Sequence, residues 1–182
     1  IYLDAYKQPI PPRDTTCRIM KIAIPQINYH IGDISGNKDL IIAAIKKAKA
    51  MKAELVLFPE HAICGAYPQD LFDKEYFINE CRMSIEQIAE QCHNISALIG
   101  CPNLDLEDGI LMNAMFFIYD GEVRGGVNKT ILSDYDIFDE SRYFIPGASN
   151  TPLRYRNQNI RVIFDEYESN MIEKTDSFIV HV

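Results

Sequence analysis

Positive charge is scarce in this sequence relative to negative charge. The 182 residues carry 18 Lys and Arg against 26 Asp and Glu, a formal net charge of −8 with neutral His. Proteins that bind nucleic acid usually neutralise phosphates with a basic face, so this balance argues against a nucleic-acid partner. Apolar residues make up 47% and charged residues 24%, which is typical of an ordinary globular domain and excludes a fibre or a mainly disordered chain.

A cysteine spacing that matches a metal or disulfide motif is also missing. The five cysteines are odd in number, and no two form a C-x-x-C pair. A disulfide framework and a zinc site both fit poorly, so the pattern favours reduced thiols in a cytoplasmic protein without a bound metal. The five are Cys17, Cys64, Cys81, Cys92 and Cys101.

Long hydrophobic runs are missing as well. No apolar run approaches the roughly 18 residues that a membrane-spanning helix needs, so no membrane partner is expected. Residues 1–19 contain three prolines and five charges, and they lack the apolar centre of a signal peptide. Because proline disfavours helix, we predict an extended leader at 1–19, followed by a single domain at 20–182.

Hydrophobic spacing after the leader predicts alternating strands and helices. Short apolar runs indicate buried strands, and apolar residues at helical spacing indicate amphipathic helices. The predicted order is strand 22–26, helix 38–52, strand 54–58, helix 84–92 and strand 95–99, with a turn and capping stretch at 32–37 before the first helix. This order predicts an α/β fold in which helices cover a largely parallel or mixed sheet.

A hairpin follows these elements. The dipeptide Asp120-Gly121 separates strand-like runs at 111–119 and 122–127, which is a strong hairpin signal. After a turn-rich stretch, the remaining predicted elements are a strand at 159–164, a short helix at 169–174 and a strand at 177–182.

Three polar positions could carry chemistry. Glu60 follows a predicted buried strand, where ligands of open α/β sheets gather, so it could act as a base or be an exposed loop residue. Lys129 follows the hairpin, and it could stabilise developing negative charge or be an ordinary surface lysine. An acid and an arginine lie within the aromatic stretch 138–144, which fits either a buried polar network or a salt-bridged loop.

These positions fall within stretches that are similar to a known family. The similar stretches are 21–28 with Gly32-Asp33, 57–60 with Gly65 and 68–71, 99–102, Asn113 and 129–144. Over 20–182 the chain resembles the nitrilase (carbon–nitrogen hydrolase) superfamily. More narrowly, it resembles the N-terminal glutaminase domain of glutamine-dependent NAD synthetase. The block 129–144 is the most specific signal, since Phe58-Pro59-Glu60 alone indicates only the superfamily.

The resemblance implies a nitrilase-like αββα sandwich, here incomplete because the chain matches the N-terminal part of that domain and is truncated at its C-terminal end. It also implies an amide hydrolase with a Glu–Lys–Cys triad. In that chemistry a glutamate is the general base, a cysteine attacks the amide carbonyl to form a thioester, and a lysine stabilises the oxyanion. Glu60 matches the base, Lys129 the lysine, and Glu140 a second glutamate that helps to orient the site.

The cysteine of the triad has no match in this chain. Asp165 falls on its expected position after the strand at 159–164, and a register slip of one residue would place Phe164 there instead. Neither side chain can form a thioester. An aspartate near Glu60 and Glu140 would also add a third negative charge to the site.

The loop after Glu60 contains a candidate thiol and one further departure from the family pattern. Cys64 is the nearest thiol in sequence, but it matches a loop position and not the strand end, so it is a poor surrogate nucleophile. The family's loop tyrosine is displaced by one position, because Ala66 holds its place and Tyr67 follows.

Three functions follow as hypotheses. The first is a glutaminase domain that releases ammonia from glutamine for NAD biosynthesis, here without the nucleophilic cysteine and the synthetase domain. The second is a catalytically inactive nitrilase-fold scaffold or interaction module, and the third is an amidase for another small amide. The resemblance implies a synthetase domain or chain and a second copy of this chain as partners. ATP is expected only for the synthetase domain, so no cofactor is predicted here.

Overall fold

Two β-sheets and a layer of helices make up the described part of the protein. The computed structural model describes residues 20–156, 158–164 and 177–182. The predicted leader at 1–19, the predicted helix at 169–174 and Asp165 lie outside these residues. Among the described residues, no helix has the length and apolar character to cross a membrane.

The larger sheet has five strands in the order β1-β2-β3-β4-β5. β1, β2 and β3 run parallel, whereas β3, β4 and β5 pair antiparallel. Consequently β2, β3 and β5 all end at the same edge of the sheet. The strands are β1 (Ile22–Ala23), β2 (Leu55–Leu57), β3 (Ser96–Leu104), β4 (Leu111–Tyr119) and β5 (Glu122–Asn128).

Two helices connect the parallel strands and cover one face of this sheet. They are α1 (Ile34–Ala50) and α2 (Glu75–Ala89). The Asp33 carboxylate caps α1 by accepting a hydrogen bond from the Gly36 amide at 2.9 Å. The helices and the sheet share one buried apolar cluster, to which the strands contribute side chains such as Val56, Ile99 and Phe116.

The smaller sheet covers the opposite face of the larger one. Its strands, in the order β6-β7-β8, are β6 (Leu153–Tyr155), β7 (Gln158–Ile163) and β8 (Ser177–His181). Side chains alternate between the two faces of a strand, so Leu55, Leu57 and Leu98 face this second sheet and form a separate buried cluster with it. The described layers are therefore helices, sheet and sheet, which are three of the four layers of the predicted αββα sandwich.

The strand predictions are largely confirmed, and the helix boundaries are wrong. The hairpin around Asp120-Gly121 and the strand at 111–119 are as predicted. The first helix begins at Ile34, so the predicted turn at 32–37 is helical over most of its length. The second begins at Glu75 and not at 84, because its buried face extends back to Phe77.

Candidate active site

The acidic and basic side chains predicted from the sequence lie together at the edge where β2, β3 and β5 end. The Lys129 ammonium lies 3.1 Å from Oε2 of Glu60 and 3.0 Å from Oε2 of Glu140. Glu60 follows β2 and Lys129 follows β5, so the shared edge of the sheet explains their proximity. The geometry brings these three residues together, and their catalytic roles stay predictions.

Glu60 is positioned by a close crossing of its segment over β3. The Phe58 amide donates to the Leu98 carbonyl at 2.9 Å, which extends the pairing of β2 with β3 by one residue. A Cβ at Gly100 would lie 2.3 Å from the Pro59 carbonyl oxygen and 2.5 Å from the Glu60 Cα. Glycine at position 100 therefore allows the backbone that carries Glu60 to pass directly over the sheet.

Lys129 is held by hydrogen bonds at both its backbone and its side chain. Its amide donates to the Asn113 carbonyl at 2.8 Å, and its ammonium donates to Oγ of Ser133 at 3.0 Å. Burial disfavours the charged ammonium, but the carboxylates of Glu60 and Glu140 outweigh burial and raise the pKa of Lys129 above its ordinary value. The lysine thus stays protonated, as a buried cation between two anions.

Glu140 is the more deeply bound of the two carboxylates. It begins the short 3₁₀ helix Glu140–Arg142, and it accepts the Ser133 amide at 2.6 Å in addition to the Lys129 contact. Burial alone would raise the pKa of Glu140, but the nearby His61 ring, the hydrogen bond from the Ser133 amide and the charge of Lys129 lower it to about 2. Its side chain is 4% exposed, whereas that of Glu60 is 22% exposed. Glu60 is therefore the carboxylate that a ligand can reach.

Asn113 bridges the two carboxylates, a role that the sequence did not reveal. Its side-chain amide donates to Oε2 of Glu60 at 2.6 Å and to Oε1 of Glu140 at 2.9 Å. Two anionic acceptors fix the orientation of this amide, because its oxygen would be repelled from both. Asn113 lies on β4 opposite Pro102 of β3, so the strand register determines this contact.

His61 is a further buried residue of the site that the sequence analysis missed. Its ring lies between Phe72 and Phe144, with centroid distances of 5.5 and 5.7 Å, and Nε2 lies 3.8 Å from Oε1 of Glu140. The backbone at His61 has a φ of +53°, a conformation that costs a non-glycine residue energy. A histidine directly after Glu60, followed by apolar residues, is the signal that could have identified it.

The site has the donor types of a metal centre but already contains its own cation. Ligand atoms of Glu60, His61 and Glu140 all lie within 4.8 Å of one another. However, the Lys129 ammonium contacts the carboxylates of both glutamates. The Asn113 amide also contacts both carboxylates, and it lies 3.3 Å from Nε2 of His61. The arrangement therefore suits an ammonium and an amide donor better than a metal ion.

The stretch 138–144 contains both the buried network and the salt-bridged loop that the sequence left as alternatives. Glu140 belongs to the buried cluster, whereas Arg142 forms an exposed ion pair with Asp70 at 3.1 Å. The Tyr67 hydroxyl accepts the Asp139 amide at 2.6 Å. The loop after Glu60 is thereby tied to this stretch at the rim of the site.

Phe164 brings a side chain to the site from the end of β7 in the second sheet. It directly follows β7 and is 6% exposed. The centroid of its ring lies 5.9 Å from the Lys129 ammonium. Asp165, the residue expected at the nucleophile position, lies outside the described residues, so its predicted role stays a prediction.

The described cysteines are all buried, and this includes Cys81, whose pKa is lowered to about 5 by hydrogen bonds with Cys101 and Cys64 but whose side chain is 0% exposed. All four are free and buried, and burial raises the pKa of the Cys64 thiol well above its ordinary value. A thiolate is the reactive form, so Cys64 is an unfavourable nucleophile despite its proximity to Glu60 in the sequence. The four are Cys64, Cys81, Cys92 and Cys101.

A cavity of about 690 Å³ lies at the opposite edge of the larger sheet. It is lined by residues that precede β2 and β3 or follow β4, among them Glu54, Ile95 and Asp120. Because Glu60 and Lys129 lie where strands β2 and β5 end, this cavity is separate from the candidate active site.

Comparison with known proteins identifies the family. The model of the carbon–nitrogen hydrolase family matches residues 21–164. Among curated relatives, glutamine-dependent NAD(+) synthetase from Aquifex aeolicus is 33% identical over 80% of this chain and 25% of its own length. The same enzyme from Xylella fastidiosa (strain Temecula1) is 35% identical over 81% of this chain and 27% of its own length. The chain thus spans about a quarter of the length of these relatives.

Solved structures confirm the predicted fold. Glutamine-dependent NAD+ synthetase from Acinetobacter baumannii, in complex with ADP, superposes with a TM-score of 0.76 at 31% identity, covering 81% of this chain and 28% of that one. An amidase of the nitrilase superfamily from Nesterenkonia superposes with a TM-score of 0.67 at 23% identity, covering 80% and 55%. The second likeness concerns the fold alone.

Proposed function

The chain belongs to the carbon–nitrogen hydrolase family, and on this basis we propose that it is a glutaminase-type domain that binds the side-chain amide of glutamine. The observation that carries the proposal is the buried Lys129 ammonium between Glu60 and Glu140, at 3.1 and 3.0 Å. A cation fixed beside a partly exposed carboxylate is what amide hydrolysis requires, because one group stabilises the oxyanion and the other moves the proton.

The unequal exposure of the two glutamates assigns them different roles. Glu60 is 22% exposed, so it can take a proton from a nucleophile and return it to the departing ammonia. Glu140 is 4% exposed and saturated with donors, so it positions Lys129 and Asn113. Lys129 has a raised pKa and keeps its charge for the carbonyl oxygen of a bound amide.

Thioester formation needs a thiol, and neither Phe164 nor Asp165 supplies one. We therefore expect the unaltered chain to bind glutamine reversibly and to release no glutamate from it. In the longer relatives, the ammonia would serve the synthetase reaction that their name describes. Association with a synthetase domain, assembly into a homo-oligomer and a cytoplasmic location stay predictions.

Titration calorimetry of the chain with glutamine tests the proposal. We expect saturable binding that is stronger than binding of asparagine or propionamide, and that is lost in Lys129→Met. Lys52→Met is the matched control, because it removes a lysine charge beside the cavity at the opposite edge of the sheet. Preference for another amide would favour the small-amide amidase, and no binding of any amide would contradict the proposal and favour the inactive scaffold.

A further inference from the structure

The second sheet approaches the candidate active site through one strand. β7 is the central strand of that sheet, and its even-numbered residues Ile160 and Val162 face the larger sheet. Phe164 continues this alternation and belongs to the same buried cluster. A side chain at position 164 is therefore directed between the two sheets.

Position 164 contacts Lys129, the cation of the candidate active site. The Phe164 ring centroid lies 5.9 Å from the Lys129 ammonium, within the range of a cation–π contact. The same ammonium lies 3.1 Å from Glu60, so the base, the cation and position 164 are close together.

We propose that position 164 is the nucleophile position of this site, and that the Phe164 ring occupies it by packing against Lys129. The proposal rests on the proposed function for the identity of the substrate, but not for the location of the position. It decides between the two registers that the sequence left open, because a side chain at position 164 faces Lys129, which in turn contacts the base Glu60.

The chemistry of such a thiol can be written out in full. The thiol proton passes to the Glu60 carboxylate, the sulfur lone pair forms a bond to the amide carbon, and the carbonyl π electrons move to the oxygen beside Lys129. Collapse of this intermediate reforms the carbonyl and breaks the C–N bond. Nitrogen takes the proton from Glu60 and leaves as ammonia. The phenyl ring of Phe164 has neither this proton nor a nucleophilic lone pair, so the reaction cannot start at this position.

Alkylation by iodoacetamide locates the position without depending on glutamine. A cation close to a thiol lowers its pKa by a unit or more, so we expect Phe164→Cys to react about tenfold faster at neutral pH than Phe164→Cys combined with Lys129→Met. Val162→Cys, on the same face of β7 but fully buried, is the matched control and should stay unreactive. Peptide mass spectrometry identifies the labelled cysteine, and circular dichroism confirms that each variant is folded.

A glutamine-analogue chloroketone then tests position and substrate together. We expect it to label Phe164→Cys and not Asp165→Cys, with protection by excess glutamine. Labelling of Asp165→Cys in place of Phe164→Cys, or alkylation of Phe164→Cys that is independent of Lys129, would overturn the proposal. Lys129-dependent alkylation without chloroketone labelling would support the position and contradict glutamine as the substrate.

A double-mutant cycle covers the case in which Phe164→Cys does not fold. Phe164→Leu and Lys129→Met, alone and combined, are compared by their equilibrium constants of unfolding. A cation–π contact predicts a departure from additivity of about two- to fivefold. Phe144→Leu with Lys129→Met is the matched control, since Phe144 packs against His61 and Phe72. Additive effects for the Phe164 pair would refute the contact and with it the proposal.

Discussion

A substitution at Asn113 that changes only its side-chain amide tests the electrostatics of the site most directly. Asn113→Asp keeps the shape of the side chain and replaces the amide nitrogen by oxygen. That nitrogen now donates to Glu60 at 2.6 Å and to Glu140 at 2.9 Å. The substitution therefore turns two attractive contacts into contacts between acceptors, and it adds a third carboxyl group to the cluster.

The structure allows the cost of this change to be estimated. If the new carboxyl were ionised, each contact near 3 Å would be repulsive by about 5 kcal/mol at an effective dielectric constant of 20. Keeping it protonated at pH 7 against an ordinary pKa of about 3.9 costs about 4 kcal/mol, so protonation is the cheaper state. One proton can serve only one of the two acceptors, and the lost second hydrogen bond adds about 1.5 kcal/mol or more.

The pH dependence of the loss distinguishes this explanation from a packing defect. The pKa of the new carboxyl is raised in the folded state, so the folded protein binds the extra proton more tightly than the unfolded chain. The destabilisation relative to the unaltered chain should therefore shrink as the pH falls, by about 1.4 kcal/mol per unit between about pH 7 and pH 4. Near pH 4 the remaining destabilisation should be the cost of the lost hydrogen bond alone.

Urea unfolding followed by far-UV circular dichroism measures the effect, since the chain contains no tryptophan. Asn103→Asp on β3 is the matched control, because the Asn103 amide donates to Oδ1 of Asn128 at 3.2 Å and that amide can rotate to donate in return. We expect this control to lose less stability than Asn113→Asp and to depend less on pH, because its amide donates to a neutral amide and not to a carboxylate. A loss for Asn113→Asp that is equally small, or that does not change with pH, would refute the reasoning.

Three further predictions follow from the site and its surroundings. Folding lowers the pKa of Glu140 from 4.5 to about 2, which stabilises the fold by about 3 kcal/mol above about pH 4.5. This stabilisation is lost as the pH falls towards 2. In Glu140→Gln, the free energy of unfolding should therefore not show this decrease when it is measured as a function of pH. Gly100→Ala should destabilise the fold by about 2 kcal/mol or more and weaken glutamine binding, as measured by urea unfolding and calorimetry, because its Cβ meets the Pro59 carbonyl at 2.3 Å. Iodoacetamide should leave four thiols unmodified in the native chain and modify them in urea, as peptide mass spectrometry would show for Cys64, Cys81, Cys92 and Cys101.

The elements with strong local signals could be predicted from the sequence. Asp120-Gly121 is a turn dipeptide between two strand-like runs, and the hairpin forms there with Tyr119 paired to Glu122. The start of α2 could not be predicted in this way, because Lys74 precedes it without a side-chain capping bond. Its first turn is helical because Phe77 and Ile78 pack into the tertiary core, which local spacing around position 84 does not reveal.

The residues of the candidate active site also fall into those that the sequence predicts and those that it does not. Glu60, Lys129 and Glu140 could be selected from the sequence because a family resemblance singles them out, and the parallel strands explain why two of them meet. The role of Asn113 could not be predicted, because it depends on where the pairing of β3 with β4 places its amide. His61 had only a local signal, a histidine directly after Glu60. Residue type alone does not distinguish a bridging asparagine from a surface one.

The acid–base cluster also holds parts of the fold together, independently of any activity. Lys129 and Glu140 are both nearly fully buried, and the hydrogen bonds among them join the segments that follow β2 and β5 to the start of β4. Removing one partner of a buried ion pair leaves the other charge uncompensated, at a cost of about 3–5 kcal/mol. Folding alone therefore maintains these residues, whether or not a nucleophile is present. Position 164 lies at the border of this cluster and carries no buried charge, so the aromatic ring there removes the chemistry while leaving the ion cluster intact.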